Sequence, residues 1–157
     1  MKRSRKAPAK KHPTRAIAER GLRRGDYLGW FEEVYAEAKK RKDWRRVSWA
    51  DMLPNPRLSS WIGAQRLTGK GKKALVVGCG LGDDAEYLSR LGFRTLAFDI
   101  SPTAIAWCKK LAPHSRVRYV VEDLLNPPRA WTHAFDLVVE IYTLRVFPEA
   151  LRAKAIP

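Results

Sequence analysis

Residues 73–84 read Lys-Ala-Leu-Val-Val-Gly-Cys-Gly-Leu-Gly-Asp-Asp. The stretch opens with an apolar run of the kind found in a strand buried on both faces. Gly78, Gly80 and Gly82 follow at alternate positions, and residues 83–91 continue as a helix closed by Gly92. Glycine at the first turn position permits a tight reversal, and the later ones let backbone approach a ligand at the helix N-terminus. A glycine-rich loop alone is a weak signal. Its value here comes from the readable strand before it and the readable helix after it.

The same pattern extends outward. Residues 94–99 (RTLAFD) form a second expected strand, and Ser101-Pro102 opens a helix that stops before Pro113. Residues 117–122 and 135–140 supply two more strands, and residues 148–156 a last helix. Strands alternating with helices through short links imply right-handed crossovers and a parallel sheet flanked by helices. The expected fold is α/β, a parallel sheet flanked by helices. On the N-terminal side, residues 26–42 repeat Trp30, Phe31, Val34, Tyr35 and Ala38 at helical spacing. Pro54-Asn55-Pro56 breaks regular structure, and a short helix is expected over 57–67. Three regions result: a basic, disordered tail over 1–24, with a helix starting as early as residue 16; a helical cap over 25–70; and a ligand-binding half-domain over 71–157.

Asp99 ends the second strand, 21 residues after Gly78. A carboxylate there accepts hydrogen bonds from the ribose hydroxyls of an adenosine-type ligand. Glu122-Asp123-Leu124 ends the third strand, where an acid can take the adenine amine while Leu124 packs on the ring. The plain alternatives are turn glycines and a helix cap at Asp99.

These segments resemble the class I S-adenosylmethionine-dependent methyltransferases, most nearly the small bacterial branch related to thiol and thiopurine methyltransferases. The residues that carry the resemblance are ALVVGCGLGDDAEYL, LAFDIS, VEDLL and FDLVVE. It implies S-adenosylmethionine as cofactor, with the loop of Gly78, Cys79, Gly80 and Gly82 at its methionine portion. It implies Asp99 on the ribose, Ile100, Asp123 and Leu124 at the adenine, and Glu140 near the sulfonium. It also implies that Trp30, Phe31, Trp49, Asp51 and Pro54-Asn55-Pro56 cover the active site; Trp30 and Trp49 simply packing on the core is the other reading. Asp51, Glu140 and Tyr142 are the candidates for an acid–base role, and His133 is expected at the surface. No metal is expected. A dinucleotide is the competing cofactor. The spacing is G-x-G-x-G, not G-x-G-x-x-G, and Asp83 and Asp84 would repel a pyrophosphate on the helix N-terminus.

The resemblance implies a methyltransferase acting on a small-molecule acceptor, a thiol or another soft nucleophile being the leading choice. Two other classes stay open: an RNA or protein methyltransferase guided by the basic tail, and a non-catalytic or partner-completed cofactor-binding subunit. The Glu-Ile-Tyr-Thr rim of the fourth strand lacks the Asn/Asp-Pro-Pro-Tyr pattern of nucleobase amino methylation. The resemblance implies a Rossmann-like sheet with strand order 3-2-1-4; family domains continue with a fifth strand and an antiparallel pair, so the chain is expected to be truncated and to lack those last three strands. An oligomer covering the open sheet edge is then expected.

Net charge separates the tail from the rest. The chain carries 31 Lys and Arg against 16 Asp and Glu, a net +15. Ten of the bases and a single acid, Glu19, fall in residues 1–24. That segment could bind polyanions weakly through phosphate neutralisation, but it has no aromatic side chain for base stacking. Two cysteines are too few for a disulfide framework and fit reduced thiols in a cytoplasmic setting. No apolar run approaches the ~18 residues of a membrane span, so no membrane contact is expected.

Overall fold

The computed structural model describes residues 12–155. Four strands form one parallel sheet: β1 (Lys73–Val77), β2 (Arg94–Asp99), β3 (Arg118–Val121) and β4 (Leu137–Glu140). The order is β3-β2-β1-β4, the order expected from the family resemblance. Val77 pairs with Phe98 and with Glu140, and Asp99 pairs with Val121. The carboxyl ends of all four strands therefore lie side by side, with the order reversing between β1 and β4. Open parallel sheets bind ligands at such a reversal.

Period-two alternation along the central strands sends side chains to two faces. Ala74, Val76, Ala97, Tyr119 and Val139 join the core under α4 (Asp83–Arg90) and α5 (Pro102–Leu111). Leu75, Val77 and Phe98 face the other way, packed by Leu96, Val120, Leu124, Trp131 and Phe135. On β4, Val138 is 57 % exposed.

Helix boundaries follow local rules. Ser101 caps α5, its Oγ accepting from the Ala104 amide at 2.9 Å, with Pro102 at the first helical position. Asn55 caps α3 (Pro56–Ala64) through the Arg57 amide at 3.0 Å, again with Pro behind the cap. α2 (Gly29–Lys40) buries Trp30, Val34, Tyr35 and Ala38, the stripe anticipated from the sequence. It lies against α5 and against α1 (Pro13–Arg23).

The helix α1 corrects the expectation of a disordered tail reaching residue 24. Residues 13–23 are helical because Ile17 and Thr14 are buried, and Thr14 Oγ1 donates to the Arg46 carbonyl oxygen at 2.7 Å. Arg20 and Arg24 also pair with Glu33 on α2. Composition alone hides this, because one buried Ile and one Thr bond do not raise mean hydropathy. The basic stretch over residues 1–11 lies outside the described residues.

Candidate active site

At the carboxyl ends of the strands lies a cavity of about 460 Å³. The glycine turn forms its floor. Gly78, Gly80 and Gly82 have φ of 59°, 56° and 91°, in the region that L side chains rarely adopt. The turn continues the sheet pairing: the Cys79 amide donates to the Phe98 carbonyl oxygen at 2.8 Å. The Gly80 amide then donates to Asp99 Oδ2 at 2.9 Å, while the Ser101 amide donates to Oδ1 at 2.9 Å. Asp99 is only 6 % exposed. Burial pushes its carboxyl up to about 6, against the lowering effect of those two amides and with a smaller upward push from the charge of Glu32.

The cap supplies the opposite wall. Trp30 and Phe31 stack at 3.9 Å between ring centroids, and both meet Trp49 edge-on. Trp49 Nε1 donates to the Tyr35 hydroxyl at 2.7 Å. A side chain at Gly80 would reach toward that same hydroxyl, 3.1 Å away. Burial and the nearby Asp99 raise the Tyr35 phenol well above its usual range, so it stays a neutral donor and acceptor.

Asp83 and Asp84 begin α4 and also line the cavity. Asp84 Oδ1 accepts from the Asn55 amide at 2.6 Å, which ties the cap loop to α4. Burial, then repulsion from Asp84 and Asp51, pushes the Asp83 carboxyl up to about 6. Cys79 lines the cavity too; a hydrogen bond with Cys108, then burial, pushes its thiol up, and Cys108 Sγ donates to the Gly80 carbonyl oxygen at 3.2 Å. Both thiols are free.

The cavity brings together most of the residues singled out from sequence: Trp30, Trp49, Asp51, Gly78, Cys79, Gly80, Asp99, Ile100, Asp123, Leu124 and Tyr142. Two fall elsewhere. A side chain at Gly82 would strike the Tyr119 hydroxyl at 2.4 Å, so this glycine makes room for Tyr119 at the start of α4 and does not line the cavity. The Glu140 carboxylate turns back to accept from the Leu144 amide at 2.9 Å, closing the turn after β4. His133 is exposed. Sequence reasoning also passed over Tyr35, which reads as one more member of an apolar helical stripe. Glu32, a polar residue outside that stripe, bonds to the start of α5. Arg145 was passed over as well; its guanidinium lies 5.4 Å from the Tyr142 ring centroid. Among the described residues, no group of three His, Cys, Asp or Glu is placed to hold a metal. No helix there is long and apolar enough to cross a membrane.

The family described as "methyltransferase domain" matches residues 74–157. The chain belongs to the methyltransferase domain family. Among solved structures, this methyltransferase domain is similar to a TehB-like SAM-dependent methyltransferase from Corynebacterium glutamicum. Identity is 31 % and the TM-score 0.56, over 77 % of this chain and 62 % of that one. It is also similar to a protein solved in connection with the conversion of a disulfide bond into a thioacetal group during echinomycin biosynthesis. There identity is 29 % and the TM-score 0.57, over 67 % of this chain and 45 % of that one. Magnesium protoporphyrin IX methyltransferase from Synechocystis PCC 6803, solved with bound SAM, shares the fold at 18 % identity and a TM-score of 0.54, over 64 % and 48 % of the two chains. The chain spans about half the length of these solved relatives. None of the curated proteins matches it.

Proposed function

We propose that the chain binds S-adenosylmethionine in the carboxyl-end cavity and transfers its methyl group to a small-molecule acceptor, a thiol or another soft nucleophile. The observation that carries this reading is the pairing of the glycine turn with a buried carboxylate, Gly80 to Asp99, beneath an aromatic wall. Two solved relatives are named for S-adenosylmethionine, one a SAM-dependent methyltransferase and one holding bound SAM. The cavity volume of about 460 Å³ lies in the range of small-molecule sites. Asp83 and Asp84 at the start of α4 suit a cationic sulfonium ligand and oppose a pyrophosphate.

When bound, the cofactor supplies a methyl group already activated on sulfur. What remains for the chain is positioning and the exclusion of water. Asp99 would hold the ribose hydroxyls, and Ile100 and Leu124 would pack on the adenine, with Asp123 at its amine. Gly78 and Gly80 would bring bare backbone to the methionine portion. Trp30, Phe31 and Trp49 would close the opposite side and keep water from the transfer line. A soft nucleophile requires no strong general base; Asp51 and Tyr142, both on the cavity wall, are the groups placed to orient an acceptor.

Calorimetric titration of the purified chain with S-adenosylmethionine tests the reading. Micromolar binding that is lost in Asp99→Ala supports it; no binding by a folded chain refutes it. A second reading, a cofactor-binding unit completed by further polypeptide, is favoured by the exposure of Val138 on β4. It predicts cofactor binding without turnover on any thiol.

A further inference from the structure

Glu32 stands on α2 beside Phe31 and two residues from Trp30, on the helix that builds the aromatic wall. Its side chain points across to another element. Glu32 Oε2 accepts from Ser101 Oγ at 2.5 Å and from the Thr103 amide at 3.1 Å, and Oε1 accepts from Thr103 Oγ1 at 2.5 Å. Both partners belong to the start of α5, where the helix dipole favours a negative charge. Burial disfavours the charged form of Glu32, yet these bonds outweigh it and hold the carboxyl below its usual value.

Ser101 also joins this contact to the floor of the cavity. Its hydroxyl donates to Glu32, and its amide donates to Asp99 Oδ1. A continuous line of hydrogen bonds thus runs from the cap, through the N-cap of α5, to the carboxylate assigned to the ribose. The apolar face of α2 is buried apart from this line. Val34, Tyr35 and Ala38 are each at most 1 % exposed and bury the helix without it. Apolar packing is non-directional and leaves the height of the helix above the strand ends loosely set. Charge-assisted hydrogen bonds on a helix N-terminus are directional and set it closely.

We propose that Glu32 is a positioning residue that latches the aromatic wall of α2 to the N-terminus of α5 and so fixes the closure of the cap over the methyl donor. The inference rests on the cofactor reading of the cavity. It assigns Glu32 to cofactor affinity through Trp30, Phe31 and Tyr35, with no contact of its own to the cofactor.

The test compares the full chain with Glu32→Gln and Thr103→Val by amide hydrogen exchange without ligand, and by titration with S-adenosylmethionine. In Glu32→Gln, amides of residues 28–36 and 47–53 exchange about tenfold faster or more while those of β1 and β2 keep their protection, since only a local opening is eased. Affinity for S-adenosylmethionine falls about tenfold, the scale of one lost charge-assisted bond. Thr103→Val moves both readouts in the same direction by less, and carries the comparison should Glu32→Gln fail to fold. Equal acceleration across β1 and β2 marks a merely structural residue and overturns the proposal. So does unchanged affinity in a variant whose cap exchanges faster, and so does an unaltered cap. A wild-type chain that fails to bind refutes the cofactor reading, and the latch assignment falls with it. A wild type that binds, beside a variant that binds equally well, refutes the latch alone.

Discussion

The Gly80 amide nitrogen lies 2.9 Å from Asp99 Oδ2, so the turn after β1 is hydrogen-bonded to the carboxylate that ends β2. Glycine turn and acid form one unit, because β1 and β2 are neighbours in register, Val77 beside Phe98. Replacing Asp99 therefore has two effects, loss of the ribose acceptor and loosening of the turn. Asp99→Asn keeps the size and one carbonyl acceptor. It is expected to weaken S-adenosylmethionine binding by about 100-fold, the cost of removing a charged acceptor of two hydroxyls. Calorimetry on the folded variant checks this; a change below threefold would remove Asp99 from the site.

The protonation of Asp99 gives the site a pH dependence. Burial raises its carboxyl to about 6, with Glu32 and Tyr35 facing it from α2 and the Gly80 and Ser101 amides from its own side. The protonated acid accepts ribose hydroxyls poorly. Affinity for S-adenosylmethionine should thus be level above pH 7 and fall as pH drops through about 6. Stability runs in the opposite sense. The folded state binds this proton more tightly than the unfolded chain, so the Asp99 contribution becomes less favourable as pH rises from about 4 to about 6. Paired binding and urea-unfolding curves at pH 5 and pH 7.5 separate the two.

Gly82→Ala places a methyl group 2.4 Å from the Tyr119 hydroxyl at a φ of 91°. The expected loss is about 2–3 kcal/mol, from left-handed strain plus overpacking. Tyr119→Phe removes the clashing oxygen, so the double variant should recover part of that loss. Purely additive losses in urea melts would show that the clash is not the cause.

Tyr35→Phe leaves the Trp49 indole N–H without its acceptor beneath the cap. An orphaned, largely buried donor costs about 1–3 kcal/mol. Thermal unfolding should register this, and Trp49 fluorescence should shift as its environment relaxes. An unchanged melting temperature would indicate that water reaches the indole.

Glu140→Gln is expected to alter cofactor affinity by less than about threefold, because the carboxylate serves the Leu144 amide and does not face the cavity. A loss comparable to that of Asp99→Asn would restore Glu140 to the cofactor site.

The parallel sheet, its flanking helices and the glycine turn were legible in the residues alone. Those features leave local signals: the period of an apolar strand, glycine where φ must be positive, Ser101 before proline at a helix start, and short links between strands and helices. Asp99 was legible because a strand end is a fixed distance from the turn it faces. Contacts between residues far apart in the chain were not legible in the same way. Trp49 meets Tyr35 across 14 residues, Asp84 meets Asn55 across 29 and Glu32 meets Ser101 across 69. Gly82 and Glu140 fit the sequence pattern, yet the direction in which each faces depends on Tyr119 and on the turn at Leu144. Local backbone rules state which conformations a residue can adopt. Only the packed arrangement of cap and sheet settles which polar group it meets, because buried donors and acceptors must find partners wherever the fold brings them.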